Sequence, residues 1–262
     1  MDLSFLSEIL TTLFQVAMLL FVFIASTRLT DGEKKLLAVF FAFAFLSWLL
    51  SDLYWLVYDL LRPGTRMPFA ANEIGECALS LLLGAGLLSI KEEKGAPAVG
   101  EIIVAIIYMV CNVSLWIAWS GEWMQDILCG LSIGTLLTIL VREIKRTNAI
   151  TKQERIIILI AGFCNIIMQA SMFYVNKKAV RFIDLSCYII MLAGVAYFWI
   201  RSLLGLIKGN STKNTLLVTV AAFVWTILSM YMSTGVFYTV MLLSLTLILP
   251  LIYVALKREV KA

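Results

Sequence analysis

The residues best suited to chemistry in this sequence are carboxylates and aromatic side chains in its second long apolar segment. A spacing of i, i+4, i+7 and i+11 places four of them on one helix face: Trp48, Asp52, Trp55 and Asp59. A charge inside a membrane span costs at least about 2.5 kcal/mol, so such residues mark functional sites by default. Carboxylates beside aromatic faces suit an organic cation through charge pairing and cation–π contact. A metal cation or a proton would suit the same groups.

A second acidic group begins after the next loop. Glu73 and Glu76 share one face of the third apolar segment, and segments joined by a short loop are usually neighbours. Polar residues at similar depth lie on segments five, six and seven. We therefore predict a polar cavity that opens outward, lined by segments two, three, five, six and seven. The predicted ligand-binding residues are Asp52, Trp55, Tyr58, Glu73, Glu76, Asp126, Gln169 and Asp184.

A purely structural role stays open for several of these acids. Glu73, Asp126 and Asp184 lie at predicted helix N-termini, where the helix dipole favours a negative charge. Asp59 would be solvated at the membrane interface, and nearby arginines such as Arg181 could pair with the acids. Asp52 and Glu76 are harder to explain in this way, because their depth makes solvation difficult.

Composition identifies the elements that must position these residues. The chain has 262 residues, of which 61% are hydrophobic and 15% are charged, whereas soluble domains carry about 25% charged residues. Runs of about 20 apolar residues predict membrane-spanning helices. Nine such runs are present, at 8–29, 36–61, 71–90, 101–119, 123–142, 155–175, 182–205, 214–233 and 236–256. We therefore predict an all-α polytopic membrane bundle in one domain, 1–262, with tight hairpins at 120–122 and 233–235.

The distribution of Lys and Arg orients this bundle. Sixteen of the 21 basic residues lie in alternate loops and in the C-terminal tail, and five lie on the opposite side. Short cytoplasmic loops carry the excess of Lys and Arg. The N-terminus is therefore predicted outside and the C-terminus in the cytoplasm, with a more acidic outer face.

The layout of the spans indicates an internal repeat. Residues 8–119 and 123–233 each hold four spans with similar loops, and 77–91 can be laid over 187–201 so that Cys77 meets Cys187. A repeat with an even number of spans keeps its orientation, so two parallel halves would be related by an axis along the membrane normal. The span at 236–256 would then be an addition.

Several kinds of chemistry are disfavoured. The chain has no histidine, which excludes histidine-based acid–base catalysis and zinc–histidine sites. The five cysteines lie in apolar runs without a CxxC pair, as expected for core residues. Phosphate-binding and dinucleotide-binding glycine motifs are also missing. We expect no cofactor, no metal site and no nucleic-acid partner, and we do not expect an enzyme.

The stretch 51–88 resembles the multi-span membrane regions that precede diguanylate cyclase or histidine kinase domains in bacterial signalling proteins. The residues that carry this resemblance are Asp52, Tyr54, Trp55, Pro68, Glu73 and Gly84. It implies a bacterial plasma-membrane protein that detects a ligand or a membrane state. Because no output domain follows Ala262, signalling would require a partner chain in the membrane or the cytoplasm.

Three functions remain at this point. The first is a sensor or receptor-like module that binds a small cation in the outward cavity and acts through a partner. The second is a small-solute or ion transporter, which the four-plus-four layout favours. The third, a membrane enzyme with carboxylate catalysis, is the least favoured of the three. A transporter needs polar residues that also reach the inner side, and spans two, three and seven are apolar in their inner halves. This difference favours the sensor. The ligand and the oligomeric state are not determined by the sequence.

Overall fold

The computed structural model describes residues 3–27, 32–62, 71–89, 99–174, 178–208, 212–230 and 239–240. These residues form helices and no strand, which confirms the predicted all-α class. The helices are α1 (Leu3–Thr27), α2 (Gly32–Leu61), α3 (Ala71–Ser89), α4 (Val99–Ser120), α5 (Trp123–Thr147), α6 (Lys152–Ser171), α7 (Lys178–Lys208) and α8 (Thr212–Met230). A short 3-10 turn, Met172–Tyr174, follows α6.

Each helix overlaps one of the first eight predicted segments. The ninth segment, 236–256, lies outside the described residues apart from the helical pair 239–240, and the hairpin at 233–235 also lies outside them. The hairpin at 120–122 is confirmed, because α4 ends at Ser120 and α5 begins at Trp123. Gly121 makes this tight turn with φ of +76°, a conformation that L side chains rarely adopt.

Five of the helices are long and apolar enough to cross a membrane, and the described residues therefore support five spans rather than nine. These segments are Lys35–Tyr58, Ile102–Ser120, Trp123–Thr147, Lys152–Ser171 and Ala179–Gly205. The apolar parts of α1 and α8 are shorter, at Ile9–Ile24 and Leu216–Ile227. In α3, Glu73 and Glu76 occupy the first two turns and shorten the apolar part of a 19-residue helix.

Large apolar side chains face outward along these helices. Phe163 of α6 and Leu131 of α5 are 65% and 64% exposed, and many similar residues accompany them. Monomeric soluble proteins rarely expose apolar patches larger than a few hundred Å². This surface is therefore suited to contact with lipid, in agreement with insertion into a membrane.

Glycines bring neighbouring helices close together. A Cβ at Gly75 of α3 would lie 2.8 Å from the Ser47 carbonyl oxygen of α2, and a Cβ at Gly130 of α5 would overlap Val113 of α4. Lipid tails are as apolar as leucine, so membrane helices associate through van der Waals packing rather than through hydrophobic exclusion of water. Close approach at Gly75 and at the Gly130–Gly134 pair provides that packing.

Helix α8 lies in the interior of the described bundle. Residues 216–220 are buried consecutively, so every side of this helix is covered. Trp48 of α2 packs edge to face on Phe223 of α8, with ring centroids 5.1 Å apart. A small gap lined by Leu83 and Leu136, among others, shows that α3 and α5 also meet α8. An apolar helix covered on all sides is expected at the centre of a bundle.

Candidate functional site

In the part of the chain that the structure describes, four acids lie near a groove between α3 and α5. The groove has a volume of about 300 Å³ and is lined by Glu73, Ile74, Cys77, Leu81, Gln125, Leu128, Leu131, Ser132 and Thr135. None of these nine lining residues is basic. The half-buried carboxyl of Glu73 interacts electrostatically with those of Glu76, Asp126 and Glu122. The helix starts of α3 and α5 thus bring four acids to one end of the bundle.

The α4–α5 hairpin positions one of these acids. The Ser120 hydroxyl donates to Asp126 Oδ2 at 2.6 Å and accepts from the Glu122 backbone N–H at 2.9 Å. Asp126 lies in the first turn of α5 and is buried. The helix dipole stabilises an acid at this position. The hydrogen bonds fix Asp126 beside the groove.

Asp52 lies at a different interface, between α1 and α2. The Gln15 amide donates from Nε2 to Asp52 Oδ2 at 2.5 Å. The Gln15 side chain is fully buried at 0% exposure, and its Oε1 has no hydrogen-bond partner. Sequence reasoning missed Gln15, although a single amide in the middle of an apolar run is itself an indication, because polar side chains inside spans are costly.

Gln169 belongs to a buried amide network between α4 and α6. Its Nε2 donates to Asn112 Oδ1 at 2.6 Å and to Asn165 Oδ1 at 2.7 Å, and its Oε1 accepts from Trp116 Nε1 at 2.9 Å. The Tyr108 hydroxyl donates to Asn165 Oδ1 at 3.0 Å. Polar side chains that hydrogen-bond across helices hold membrane bundles together. This arrangement serves helix packing and leaves Gln169 little capacity to bind a ligand.

Asp184 joins α6 to α7 near their connection. Its Oδ1 accepts a hydrogen bond of 2.8 Å from the hydroxyl of Ser171, which is buried. The predicted aromatic residues lie on α2, where Trp55 is 43% exposed and Tyr58 is half-buried. Neither lines the α3–α5 groove.

The structure therefore distributes the predicted site over several helix interfaces. Glu73, Glu76 and Asp126 come together at the groove. Asp52, Gln169 and Asp184 contact other helices instead. The groove is formed by α3 and α5, whereas the predicted cavity also included side chains from α2, α6 and α7. Helix packing separates positions that lie at similar depth.

A charged cluster occupies the opposite end of α6 and α7. Glu154 Oε1 is 2.8 Å from Arg201 Nε and accepts a 2.8 Å hydrogen bond from the Tyr197 hydroxyl. The Arg201 guanidinium also donates to the Ala149 carbonyl oxygen at 3.1 and 3.0 Å. Thr151 and Glu154 form a capping box, with Thr151 N–H donating to Glu154 Oε2 at 2.7 Å. These side chains satisfy one another's hydrogen-bonding and charge requirements, which indicates a structural role.

The described residues contain no group of three or more His, Cys, Asp or Glu side chains that could hold a metal ion. All five cysteines are free thiols. Cys77 of α3 lines the groove, and Cys129 is a buried residue of α5.

No protein-family model, no curated protein and no solved structure matches this chain.

Proposed function

We propose that this chain is a multi-span bacterial plasma-membrane protein, with its N-terminus outside and its C-terminus in the cytoplasm, that binds a small cation on its outer side. In this proposal it acts as a sensor or receptor-like module through a partner chain. The observation that carries the proposal is the groove between α3 and α5, whose one acidic lining residue, Glu73, has the carboxyls of Glu76, Asp126 and Glu122 nearby.

Two clusters support the proposed orientation. The acids collect where α3 and α5 begin, on the side of the Ser120–Trp123 hairpin. Arg201 and the basic connection between α5 and α6 lie at the other end of the helices. Cytoplasmic loops carry the excess of positive charge. The acidic end is therefore assigned to the outside, where a dissolved cation would meet it.

Electrostatics favours a cation over other ligands. At about 4 Å and an effective dielectric constant of about 20, two unit charges interact with roughly 4 kcal/mol. Burial, and then the nearby carboxyls of Glu76, Asp126 and Glu122, disfavour the ionised form of Glu73, and a cation in the groove would offset both effects. The volume of about 300 Å³ lies at the lower limit of ligand pockets. A compact monovalent organic cation fits both the charge and the size.

The extent of the polar interior favours sensing over transport. The amide network extends from Trp116 to Tyr108, that is, from the hairpin end of α4 to its middle. Beyond Tyr108, α4 presents exposed Ile103 and Ile107 and buried Ala105. A transporter needs polar groups that continue to the second side. Among the described helices, this interface does not provide them.

The test is cation binding by the purified chain in lipid nanodiscs. Thermal unfolding is followed while tetramethylammonium is titrated, with uncharged tert-butanol as the size control. We expect tetramethylammonium alone to raise the melting temperature in a saturable way. Glu73→Gln should weaken its binding by at least about tenfold, equivalent to about 1.4 kcal/mol.

Glu101→Gln is the matched control, because it removes one acid from the first turn of α4, a helix that contributes no residue to the lining of the groove. This variant should bind as the native chain does. Equal responses to the two compounds, or equal binding by both variants, would overturn the proposal. Counterflow uptake into proteoliposomes would instead establish transport.

A further inference from the structure

The Gln15–Asp52 pair contains an unsatisfied buried oxygen. Gln15 donates its Nε2 to Asp52, while its Oε1 has no partner and its side chain is fully buried. Buried polar atoms in native proteins are nearly always hydrogen-bonded, and an unsatisfied one requires an explanation. The cost is greater in a membrane, where water is not present to compensate.

Reversing the amide does not remove the problem. Rotation of a glutamine amide by 180° exchanges the positions of its oxygen and its nitrogen. After such an exchange, Oε1 would face the Asp52 carboxylate, so two acceptors would oppose each other. An ionised Asp52 therefore keeps Nε2 toward the carboxylate and leaves Oε1 without a hydrogen-bond partner.

We propose that Gln15 Oε1 and the Asp52 carboxylate bind a dehydrated monovalent inorganic cation, such as Na⁺, between α1 and α2. Hard cations prefer carboxylate and amide carbonyl oxygens, and both are present here. The cation would give Gln15 Oε1 a partner and would place a positive charge beside the Asp52 carboxylate. A positive charge there lowers the cost of an ionised acid inside the bilayer.

Charge and burial define the class of ion. A monovalent ion brings one positive charge into a medium of low dielectric constant, whereas a divalent ion brings two and is more costly to bury. The complete burial of Gln15 leaves no access for an organic head group. Thr11 provides a further buried hydroxyl one helical turn from Gln15 on α1.

This inference goes beyond the proposed function, because it concerns another interface and another class of cation. Neither Gln15 nor Asp52 lines the α3–α5 groove. The two sites can therefore be tested with separate ligands and separate variants.

The experiment measures thermal unfolding of the full chain in nanodiscs at fixed pH and constant ionic strength. Na⁺, Li⁺ and K⁺ are each exchanged for N-methylglucamine, a cation too large for a fully buried site. We expect at least one alkali ion to stabilise the native chain with a saturable midpoint. Gln15→Met, which keeps the shape of the side chain but removes the hard oxygen ligand, should raise that midpoint at least tenfold.

Further variants keep the result interpretable. Asp52→Asn should abolish the response to alkali ions, whereas the groove variant Glu73→Gln should retain it. Gln153→Leu, at an exposed position of α6, controls for the loss of an amide. For a variant that is too unstable for the unfolding assay, ion binding is measured directly with radioactive Na⁺.

Two results would overturn the inference. One is the absence of a saturable response of the native chain to any alkali ion; if Asp52→Asn is then as stable as the native chain, the pair is a neutral, hydrogen-bonded contact between α1 and α2. The other is a midpoint that is the same in Gln15→Met as in the native chain. Loss of tetramethylammonium binding alone would affect only the proposed function.

Discussion

Replacement of Gln169 by leucine should destabilise the bundle more than any change at an exposed amide. The native side chain makes three hydrogen bonds, to Asn112, Asn165 and Trp116. Two of these bonds, to Asn112 and Trp116, cross from α6 to α4. Hydrogen bonds between membrane helices contribute about 0.6 kcal/mol each on average, so the loss of these two corresponds to about 1 kcal/mol. Leucine is close in size, and the variant should therefore not leave a large cavity.

The groups left behind increase the cost. Trp116 Nε1 and Asn112 Oδ1 lose their Gln169 partner in a buried interface, whereas Asn165 Oδ1 keeps the hydrogen bond from Tyr108. A buried polar atom without a partner costs about 1–3 kcal/mol. We therefore expect Gln169→Leu to reduce the free energy of unfolding by between about 2 and 5 kcal/mol.

The assay is reversible unfolding in mixed micelles by titration with dodecyl sulfate, followed by circular dichroism. Gln153→Leu on the same helix is the control and should change the free energy of unfolding by less than about 0.5 kcal/mol, as surface substitutions usually do. In a double-mutant cycle with Asn112→Leu, the combined loss should fall short of the sum by at least about 0.5 kcal/mol. Equal stability of the Gln169 and Gln153 variants, or strict additivity in the cycle, would refute the interpretation of the network as a stabilising unit.

Two further predictions concern helix contacts and use the same unfolding assay. Gly130→Leu should reduce the free energy of unfolding by at least about 2 kcal/mol, because the leucine side chain must displace α4. Gly100→Leu is the control and should not be destabilising, since a Cβ there meets nothing within 4 Å. Equal losses of stability in the two variants would contradict the packing argument. Arg201→Met should reduce the free energy of unfolding by about 2 kcal/mol, less than the roughly 3–5 kcal/mol lost when a fully buried ion pair is broken. The smaller loss is expected because the Arg201 side chain is 33% exposed, although that of its partner Glu154 is 5% exposed. Arg155→Met, at an exposed position of α6, is the control, and an equal effect there would show that Arg201 is merely a surface charge.

The helices could be predicted from the sequence because the bilayer fixes their length and composition. A span must satisfy every backbone hydrogen bond internally and remain apolar for about 20 residues. Both constraints are local, so α4 and α5 were found together with the turn at Gly121 that separates them. The acids at the start of α3 and α5 were also recognisable, since charges inside an apolar chain are conspicuous.

The number of spans and the residues that line the predicted cavity could not be determined from such local constraints. Depth along a helix is encoded locally, but the neighbour that a polar side chain meets depends on how the helices pack. Gln169 and Asp126 lie at similar predicted depth, yet one bonds to α4 and the other lies beside the α3–α5 groove.

The sequence by itself determined an all-helical chain suited to a membrane, with its acids concentrated toward the predicted outer side, because hydropathy and charge act on each segment separately. Only the tertiary structure decided which helices are neighbours. It placed α8 in the interior, paired Asp52 with Gln15, and divided one predicted cavity among several interfaces. The physical reason is that helix association in lipid depends on the shape of glycine faces and on hydrogen bonds between side chains distant in sequence, such as Gln15 and Asp52.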